Sequence, residues 1–185
     1  MTRRPVAGRG VPLRAILFDR DDTLIENVPY NGDPARVVPL PGAREAIQVA
    51  RSAGLLTGVV TNQSGIGRGL LTSAELMAVN ARVDQLLGPF DAWQHCPHTP
   101  WQGCACRKPA PGMVLAALQQ LGVSAAECAL VGDAGSDIRA AGAAGVRAVL
   151  CPGPQTTLQD RQDAPHVCRD VTSAVQLLIG LGGPR

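Results

Sequence analysis

Three carboxylates stand close together near the start of the chain. Asp19, Asp21 and Asp22 directly follow the apolar run Ala15–Phe18. Two carboxylates two residues apart can divide labour: one, held on a magnesium ion, attacks phosphorus, and the other protonates the leaving oxygen and later deprotonates water. Asp19 suits the first role and Asp21 the second. Alone, acidic residues after a strand more often cap a helix or form a turn, so other clusters must decide.

Three further polar clusters follow apolar runs or precede a helix. Residues 61–65 end an apolar run in hydroxyl and amide groups, which suit phosphate oxygens. Lys108, next to Arg107, can neutralise a transferring phosphoryl group. Asp133 can complete the protein ligands of magnesium, whereas Asp137 can cap the helix that follows. Each cluster also has an ordinary interpretation, as a polar turn, a solvated basic pair or a helix cap.

A separate cluster combines cysteines with a histidine. Cys96 and His98 are followed by Cys104 and Cys106, two close pairs of ligands that can close a tetrahedral zinc site. His95 is a possible substitute ligand. The alternative is that these cysteines are ordinary buried apolar residues, but their density in a short segment favours metal. Because four protein ligands leave no open position, such a zinc ion is structural.

The elements that must position these residues alternate along the chain. Short apolar runs alternate with helical patterns, which predicts an α/β fold with a parallel sheet sandwiched by helices. The predicted strands are 15–18, 55–60, 92–96, 129–131 and 148–151, and the predicted helices are 43–53, 73–87, 112–121, 137–144 and 171–181. In open parallel sheets, ligands bind beyond the carboxyl ends of the strands, where the polar clusters fall.

Composition sets the wider limits. The chain has 185 residues, 45% of them hydrophobic, and 17 basic against 15 acidic residues, which favours one globular domain and gives no case for nucleic-acid binding. No run of about 18 apolar residues is present, so we expect no membrane contact and a cytoplasmic location. We also expect a monomer. We expect residues 1–12 to form a flexible basic arm and residues 13–185 to form a single domain. The remaining cysteines, Cys128, Cys151 and Cys168, are interpreted as packing residues or spare thiols.

The order of the motifs resembles a known family. A D-x-D-x-T motif at 19–23, Thr-Asn at 61–62, Lys108 and Gly-Asp at 132–133 follow one another as in the haloacid dehalogenase superfamily of phosphatases. The resemblance covers roughly residues 13–150. It implies a Rossmann-like fold and magnesium-dependent hydrolysis of a small phosphorylated metabolite.

Two longer stretches sharpen the resemblance. Residues 61–69 read TNQSGIGRG and residues 106–113 read CRKPAPGM. Both are similar to subfamily III of that superfamily, the branch of heptose-bisphosphate and histidinol-phosphate phosphatases. Members of this branch have no large cap domain and carry a zinc-binding loop.

The resemblance implies a role for each catalytic candidate. Asp19 is the nucleophile, which forms an aspartyl-phosphate, and Asp21 is the acid/base. Magnesium is held by Asp19, the Asp21 carbonyl and Asp133, and Thr61 and Lys108 stabilise the phosphoryl group.

The same resemblance implies the contacts of the substrate. Arg107 selects among substrates by binding a distal anionic group bidentately. The expected substrate-binding residues are Asn27, Val28, Pro29, Tyr30, Asn62, Gln63, Ser64 and Arg107.

Three functions therefore compete. Two features, residues 61–69 and Arg107, favour release of the 7-phosphate of a heptose 1,7-bisphosphate. The short zinc loop, the five residues 99–103 between the two ligand pairs, favours histidinol phosphate. Asp22 stands where related phosphatases often have glycine, and Ala134 where the heptose branch commonly has lysine. These two departures motivate a third hypothesis, a zinc-stabilised binding module without activity.

Overall fold

Five short strands form the sheet of the protein. The computed structural model describes residues 11–182. The strands are β1 (Ala15–Phe18), β2 (Leu56–Asn62), β3 (Ala92–Cys96), β4 (Cys128–Gly132) and β5 (Arg147–Leu150). They are ordered β3-β2-β1-β4-β5, and every neighbouring pair is parallel. This arrangement confirms the predicted α/β class.

Helices cover both faces of this sheet, because successive side chains of a strand point to opposite sides. The helices are α1 (Ala43–Ser52), α2 (Ser73–Leu87), α3 (Gly112–Leu121), α4 (Gly135–Ala144), α5 (Leu158–Asp163) and α6 (Val171–Gly182). Phe18 belongs to the core under α1, α2 and α6, and Leu17 to the core under α3 and α4. Within residues 11–182 none of them has the length and apolar character needed to cross a bilayer.

Helix α5 is the element that the sequence pattern missed. It begins at a capping box, in which the hydroxyl of Thr157 and the carboxylate of Asp160 satisfy each other's backbone N–H groups. Its six residues contain no buried side chain. Without an apolar stripe, the periodicity that predicts helices is absent.

The register of the strands brings the candidate site residues to one edge. Phe18 is paired with Val59 on one side and with Val131 on the other. Residues 19–21, 61–63 and 133 therefore lie side by side at the carboxyl end of the sheet. Strand β2 extends to Asn62, two residues beyond the predicted end, so that Thr61 and Asn62 are still held by the sheet.

The structure describes only the last two residues of the predicted N-terminal arm, because residues 1–10 lie outside the described residues. Val11 accepts a 2.6 Å hydrogen bond from Arg147 Nη2 through its carbonyl oxygen. Within the part of the chain that the structure describes, the strands and helices are joined by loops and short 3-10 turns, and no connection carries an inserted cap domain.

Candidate active site

Asp19 lies at the carboxyl end of β1 and is held from several sides. Its backbone N–H donates to the carbonyl of Val131 on β4 (2.9 Å). Its carboxylate oxygen Oδ1 accepts from the backbone N–H of Arg20 (2.7 Å) and lies 2.8 Å from Lys108 Nζ. The side chain is 13% exposed, so one face of the carboxylate stays accessible to a ligand.

Lys108 is the buried cation of this site. Its ammonium donates to the carbonyl of Val60 (2.9 Å) and forms ion pairs with Asp19 and with Asp137 Oδ1 (2.5 Å). Asn62 fixes the backbone of Lys108 through two hydrogen bonds, at 3.1 and 3.2 Å. Burial alone lowers the pKa of the lysine, but the carboxylates of Asp137 and Asp19 raise it above its ordinary value. The lysine therefore stays charged.

Asp137 is a member of the site that the sequence interpretation treated only as a helix cap. Its Oδ2 does accept from the backbone N–H of Ala134, as a capping residue should. Its other oxygen contacts Lys108, and the residue is fully buried. The capping prediction was therefore incomplete rather than mistaken.

The buried carboxylates form a group suited to a hard cation. Asp19, Asp133 and Asp137 offer oxygens that all lie within 4.8 Å of one another. Burial, opposed by Lys108 but reinforced by the other carboxylates, raises the pKa of Asp19 to about 8. Burial, Asp137 and Asp22 likewise raise the pKa of Asp133 to about 7. Since one ammonium does not balance three carboxylates, and oxygen ligands suit magnesium, the residues fit a Mg²⁺ ion.

Asp21 is held by two neighbouring side chains, Arg20 and Gln63. Its carboxylate accepts from the guanidinium of Arg20 at 3.0 and 3.2 Å and from Gln63 Nε2 at 2.8 Å. Gln63 Nε2 also donates to the hydroxyl of Thr61 (2.9 Å). The predicted acid/base and the predicted phosphoryl-binding threonine are thus linked through one glutamine.

A cavity of about 500 Å³ opens above these groups. Its walls contain all of the predicted catalytic, magnesium-binding and substrate-binding residues of the chain: Asp19, Asp21, Asn27, Val28, Pro29, Tyr30, Thr61, Asn62, Gln63, Ser64, Arg107, Lys108 and Asp133. Ser136 and Gln155 also line the cavity and were not predicted. Gln155 lies between β5 and α5, in a segment where the sequence offered no motif.

The rim of the cavity explains one departure from the family pattern. Asp22 has a φ of +59°, in the left-handed region that favours glycine, which is the residue often found there in related phosphatases. Aspartate tolerates this conformation better than most residues. Its carboxylate accepts from Asn27 Nδ2 (2.8 Å), so the residue also orders the rim loop.

The predicted zinc ligands also come together. The Sγ atoms of Cys96, Cys104 and Cys106 lie 3.1 to 3.5 Å apart, and His98 Nδ1 lies 3.2 Å from Cys106 and 3.5 Å from Cys96. The cysteines are free thiols, and the four ligand atoms lie within 4.8 Å of one another. His95 is not part of this cluster. Three sulfurs and one imidazole nitrogen at this spacing fit a tetrahedral zinc ion.

Arg107 connects the cysteine cluster to the cavity. Its backbone N–H donates to Cys104 Sγ (3.4 Å), and its guanidinium donates to the carbonyl of His98 (3.3 Å). Gly67 N–H donates to the carbonyl of Pro97 (2.9 Å), which joins the loop after β2 to the same segment. The position of the arginine therefore depends on the conformation of the cysteine loop.

These features define a class of enzyme. Residues 30–145 match the family model of the haloacid dehalogenase-like hydrolases, and the chain belongs to this family. The expected resemblance is thereby confirmed.

Particular relatives narrow the class. The chain is 36% identical over 143 residues to a D-glycero-β-D-manno-heptose-1,7-bisphosphate 7-phosphatase of Pseudomonas putida, covering 75% of this chain and 82% of the relative. It is 33% identical to the enzyme of the same name from Bordetella bronchiseptica, covering 90% and 98%. The crystal structure of the D,D-heptose 1,7-bisphosphate phosphatase of B. bronchiseptica with magnesium and phosphate is similar, with a TM-score of 0.79, 31% identity and coverage of 91% and 99%.

Proposed function

We propose that the protein is a magnesium-dependent phosphatase that releases the 7-phosphate of D-glycero-β-D-manno-heptose 1,7-bisphosphate. The observation that carries this proposal is the contact of Lys108 Nζ with the Asp19 carboxylate (2.8 Å) at the base of a cavity that Arg107 also lines. Relatives that cover most of the chain carry this activity in their names, and a structural neighbour was crystallised with magnesium and phosphate.

The residues divide the reaction into two steps. Asp19 attacks the phosphorus of the 7-phosphate, and the bond from phosphorus to the sugar oxygen breaks as the aspartyl-phosphate forms. Asp21 donates a proton to the departing oxygen and then removes a proton from the water that hydrolyses the aspartyl-phosphate. Lys108 and the hydroxyl of Thr61 stabilise the negative charge on the phosphoryl oxygens.

Asp19, the carbonyl of Asp21 and Asp133 would hold the magnesium ion. When bound, this ion supplies positive charge that balances the carboxylates and the phosphoryl group. The raised pKa of both Asp19 and Asp133 supports this assignment, because burial destabilises the ionised carboxylates when no cation is bound.

We assign zinc to Cys96, His98, Cys104 and Cys106 as a structural ion. It would hold the loop that carries Arg107, and the guanidinium of Arg107 would bind the phosphate on carbon 1. Ser64, Asn62 and the rim at 27–30 would contact the sugar.

Charge favours the bisphosphate over histidinol phosphate. Histidinol phosphate carries an ammonium group on the carbon next to the one that bears the phosphate, and an imidazole at its distant end. A substrate of that kind would bring only cationic or neutral groups besides its phosphate into the cavity that Arg107 lines, whereas the bisphosphate brings a second anion there. The short zinc loop, which motivated the histidinol hypothesis, does not alter this arrangement of charge. A cytoplasmic location and a monomeric state stay predictions.

The test is a comparison of kcat/KM for heptose 1,7-bisphosphate and for histidinol phosphate in the presence of magnesium. We expect roughly 100-fold or greater preference for the bisphosphate, since a site built for a charged group discriminates strongly against its absence. Faster turnover of histidinol phosphate would show that heptose 1,7-bisphosphate is not the substrate. No turnover of either compound would favour the inactive binding module.

A further inference from the structure

Arg20 is a buried cation that the reaction described above does not use. It stands in the chain between Asp19 and Asp21 and is 2% exposed. Its Nε and Nη2 atoms donate to both carboxylate oxygens of Asp21, at 3.0 to 3.2 Å. Its third nitrogen, Nη1, donates to Asn80 Oδ1 at 2.7 Å. All three nitrogens of the guanidinium are therefore engaged.

Asn80 anchors this guanidinium from a rigid element. The residue lies in α2 and is 5% exposed, and its neighbour Val79 is fully buried in the core. Helix α2 begins at a complete capping box of Thr72 and Glu75. A buried amide oxygen that accepts from a charged donor is strongly directional. The orientation of the guanidinium is therefore set by the body of the protein and not by the active-site loop.

We propose that Arg20, oriented by Asn80, is the positioning residue of Asp21. The planar fork of the guanidinium fixes both oxygens of the carboxylate, and Gln63 Nε2 donates to Oδ2 as well. This inference rests on the proposed function, in which Asp21 is the acid/base. Arg20 acts only through Asp21 and is not itself a catalytic residue.

The shape of Arg20 matters as well as its charge. Lysine would keep the positive charge but would lose the two-pronged contact and the bond to Asn80. A catalytic group displaced by about 1 Å can lose on the order of 100-fold in rate. Arg20→Lys therefore separates orientation from electrostatics, and Asn80→Ala removes the anchor without touching the charge.

The leaving group distinguishes positioning from a general structural role. The sugar oxygen needs a proton when it departs, whereas p-nitrophenolate departs without one. The ratio kcat/KM reports only the steps up to the first irreversible one, here the release of the leaving group. Loss of the position of Asp21 therefore lowers kcat/KM for a sugar phosphate and leaves that for p-nitrophenyl phosphate nearly unchanged.

The experiment measures kcat/KM for heptose 1,7-bisphosphate and p-nitrophenyl phosphate with the wild type, Arg20→Lys and Asn80→Ala. Arg82→Lys is the control, since Arg82 lies on the same helix and donates to Gln85 (3.1 Å) on the protein surface. We expect kcat/KM for heptose 1,7-bisphosphate, divided by kcat/KM for p-nitrophenyl phosphate, to fall at least about tenfold in Arg20→Lys and Asn80→Ala. The same ratio should not change in the control. If Arg20→Lys does not fold, as judged by circular dichroism, Asn80→Ala alone decides.

An equal loss on both substrates would show a structural role and overturn the inference, and so would unchanged values. Failure of the proposed function is distinct, because it appears in the wild type as absent preference for the bisphosphate. The inference is then tested with whichever alkyl phosphate the wild type hydrolyses.

Discussion

The acidic cluster of Asp19, Asp133 and Asp137 and the cysteine cluster at residues 96–106 are both suited to a metal, but they are built differently. Asp19 and Asp133 directly follow β1 and β4, and Asp137 lies in α4, so the sheet and its helices place all three residues. The cysteine cluster belongs to the end of β3 and the loop that follows it. The sheet and its helices position the first region, whereas the second is a loop that is held at Cys96 of β3 and by hydrogen bonds from Arg107 and Gly67.

The chemistry of the two regions differs in the same sense. The acidic cluster is buried, has oxygen ligands and an excess of negative charge, and so calls for a cation that takes part in handling phosphate. The cysteine cluster offers sulfur and nitrogen ligands with no open position, and so calls for a cation that holds a loop. Arg107 and Lys108, adjacent in the chain, join the two regions. We therefore expect substitutions in the acidic cluster to abolish catalysis, and substitutions in the cysteine cluster to weaken substrate binding.

The largest effect is expected at Asp19, the proposed nucleophile. Asp19→Asn replaces the carboxylate that would attack phosphorus with a neutral amide, so kcat should fall by about 10⁴-fold or more. Phosphate release with saturating heptose bisphosphate measures this change, and circular dichroism checks the fold. Residual activity above roughly one per cent of the wild type would place the nucleophile elsewhere.

Lys108 should affect both activity and stability. Lys108→Met removes the charge opposite the phosphoryl group, which should lower kcat by about 10²- to 10³-fold. It also leaves Asp137 buried without its cation, which should cost about 3–5 kcal/mol in the free energy of unfolding measured by urea denaturation.

A double variant separates the two consequences. Lys108→Met with Asp137→Leu removes the unpaired carboxylate, so most of the lost stability should return while activity stays low. Recovery of activity together with stability would show that Lys108 has only a structural role.

Removal of zinc should raise KM rather than abolish turnover. Cys106→Ser loosens the loop that carries Arg107, so KM for heptose bisphosphate should rise about tenfold, the size of one weakened charged contact. Turnover of p-nitrophenyl phosphate, which has no second phosphate, is the matched control and should change little. Equal losses on both substrates would mean that the cysteine loop supports the acidic cluster itself.

The smallest effect is a pH dependence of magnesium binding. Carboxyl groups whose pKa is raised on folding stabilise the metal-free protein when protonated, and this contribution is lost as the pH rises through about 7 for Asp133 and about 8 for Asp19. Magnesium requires the ionised form. The increase in Tm caused by magnesium should therefore be larger at pH 8 than at pH 6, by roughly 2–4 °C. Asp133→Asn should remove most of this difference.

The sequence predicted the acidic region well because its residues stand at the ends of apolar runs. Asp19 and Asp133 follow buried strands directly and Thr61 lies at the end of one, and parallel strands bring such ends to one edge. The pairing of Lys108 with Asp137 was not predictable in this way. It depends on how the loop before α3 meets the first turn of α4, and no periodic pattern encodes that distance.

Two further differences have similar causes. Gln63 was predicted to contact the substrate, and the structure shows its amide bound to Asp21 and Thr61, which only the three-dimensional register of β1 and β2 reveals. Gln155 lines the cavity from the segment before α5, a polar helix without an apolar stripe. Sequence patterns report the burial of apolar residues, whereas Gln63 is placed by its polar contacts and Gln155 lies in a segment without an apolar pattern.

The most direct test of the account is the binding of beryllium fluoride, which mimics a phosphoryl group on an aspartate. Calorimetric titration in the presence of magnesium should show one complex per chain in the wild type, and no complex in Asp19→Asn or Lys108→Met. Binding that survives in Asp19→Asn, or no binding in the folded wild type, would contradict the convergence of nucleophile, lysine and acidic cluster on one phosphoryl group.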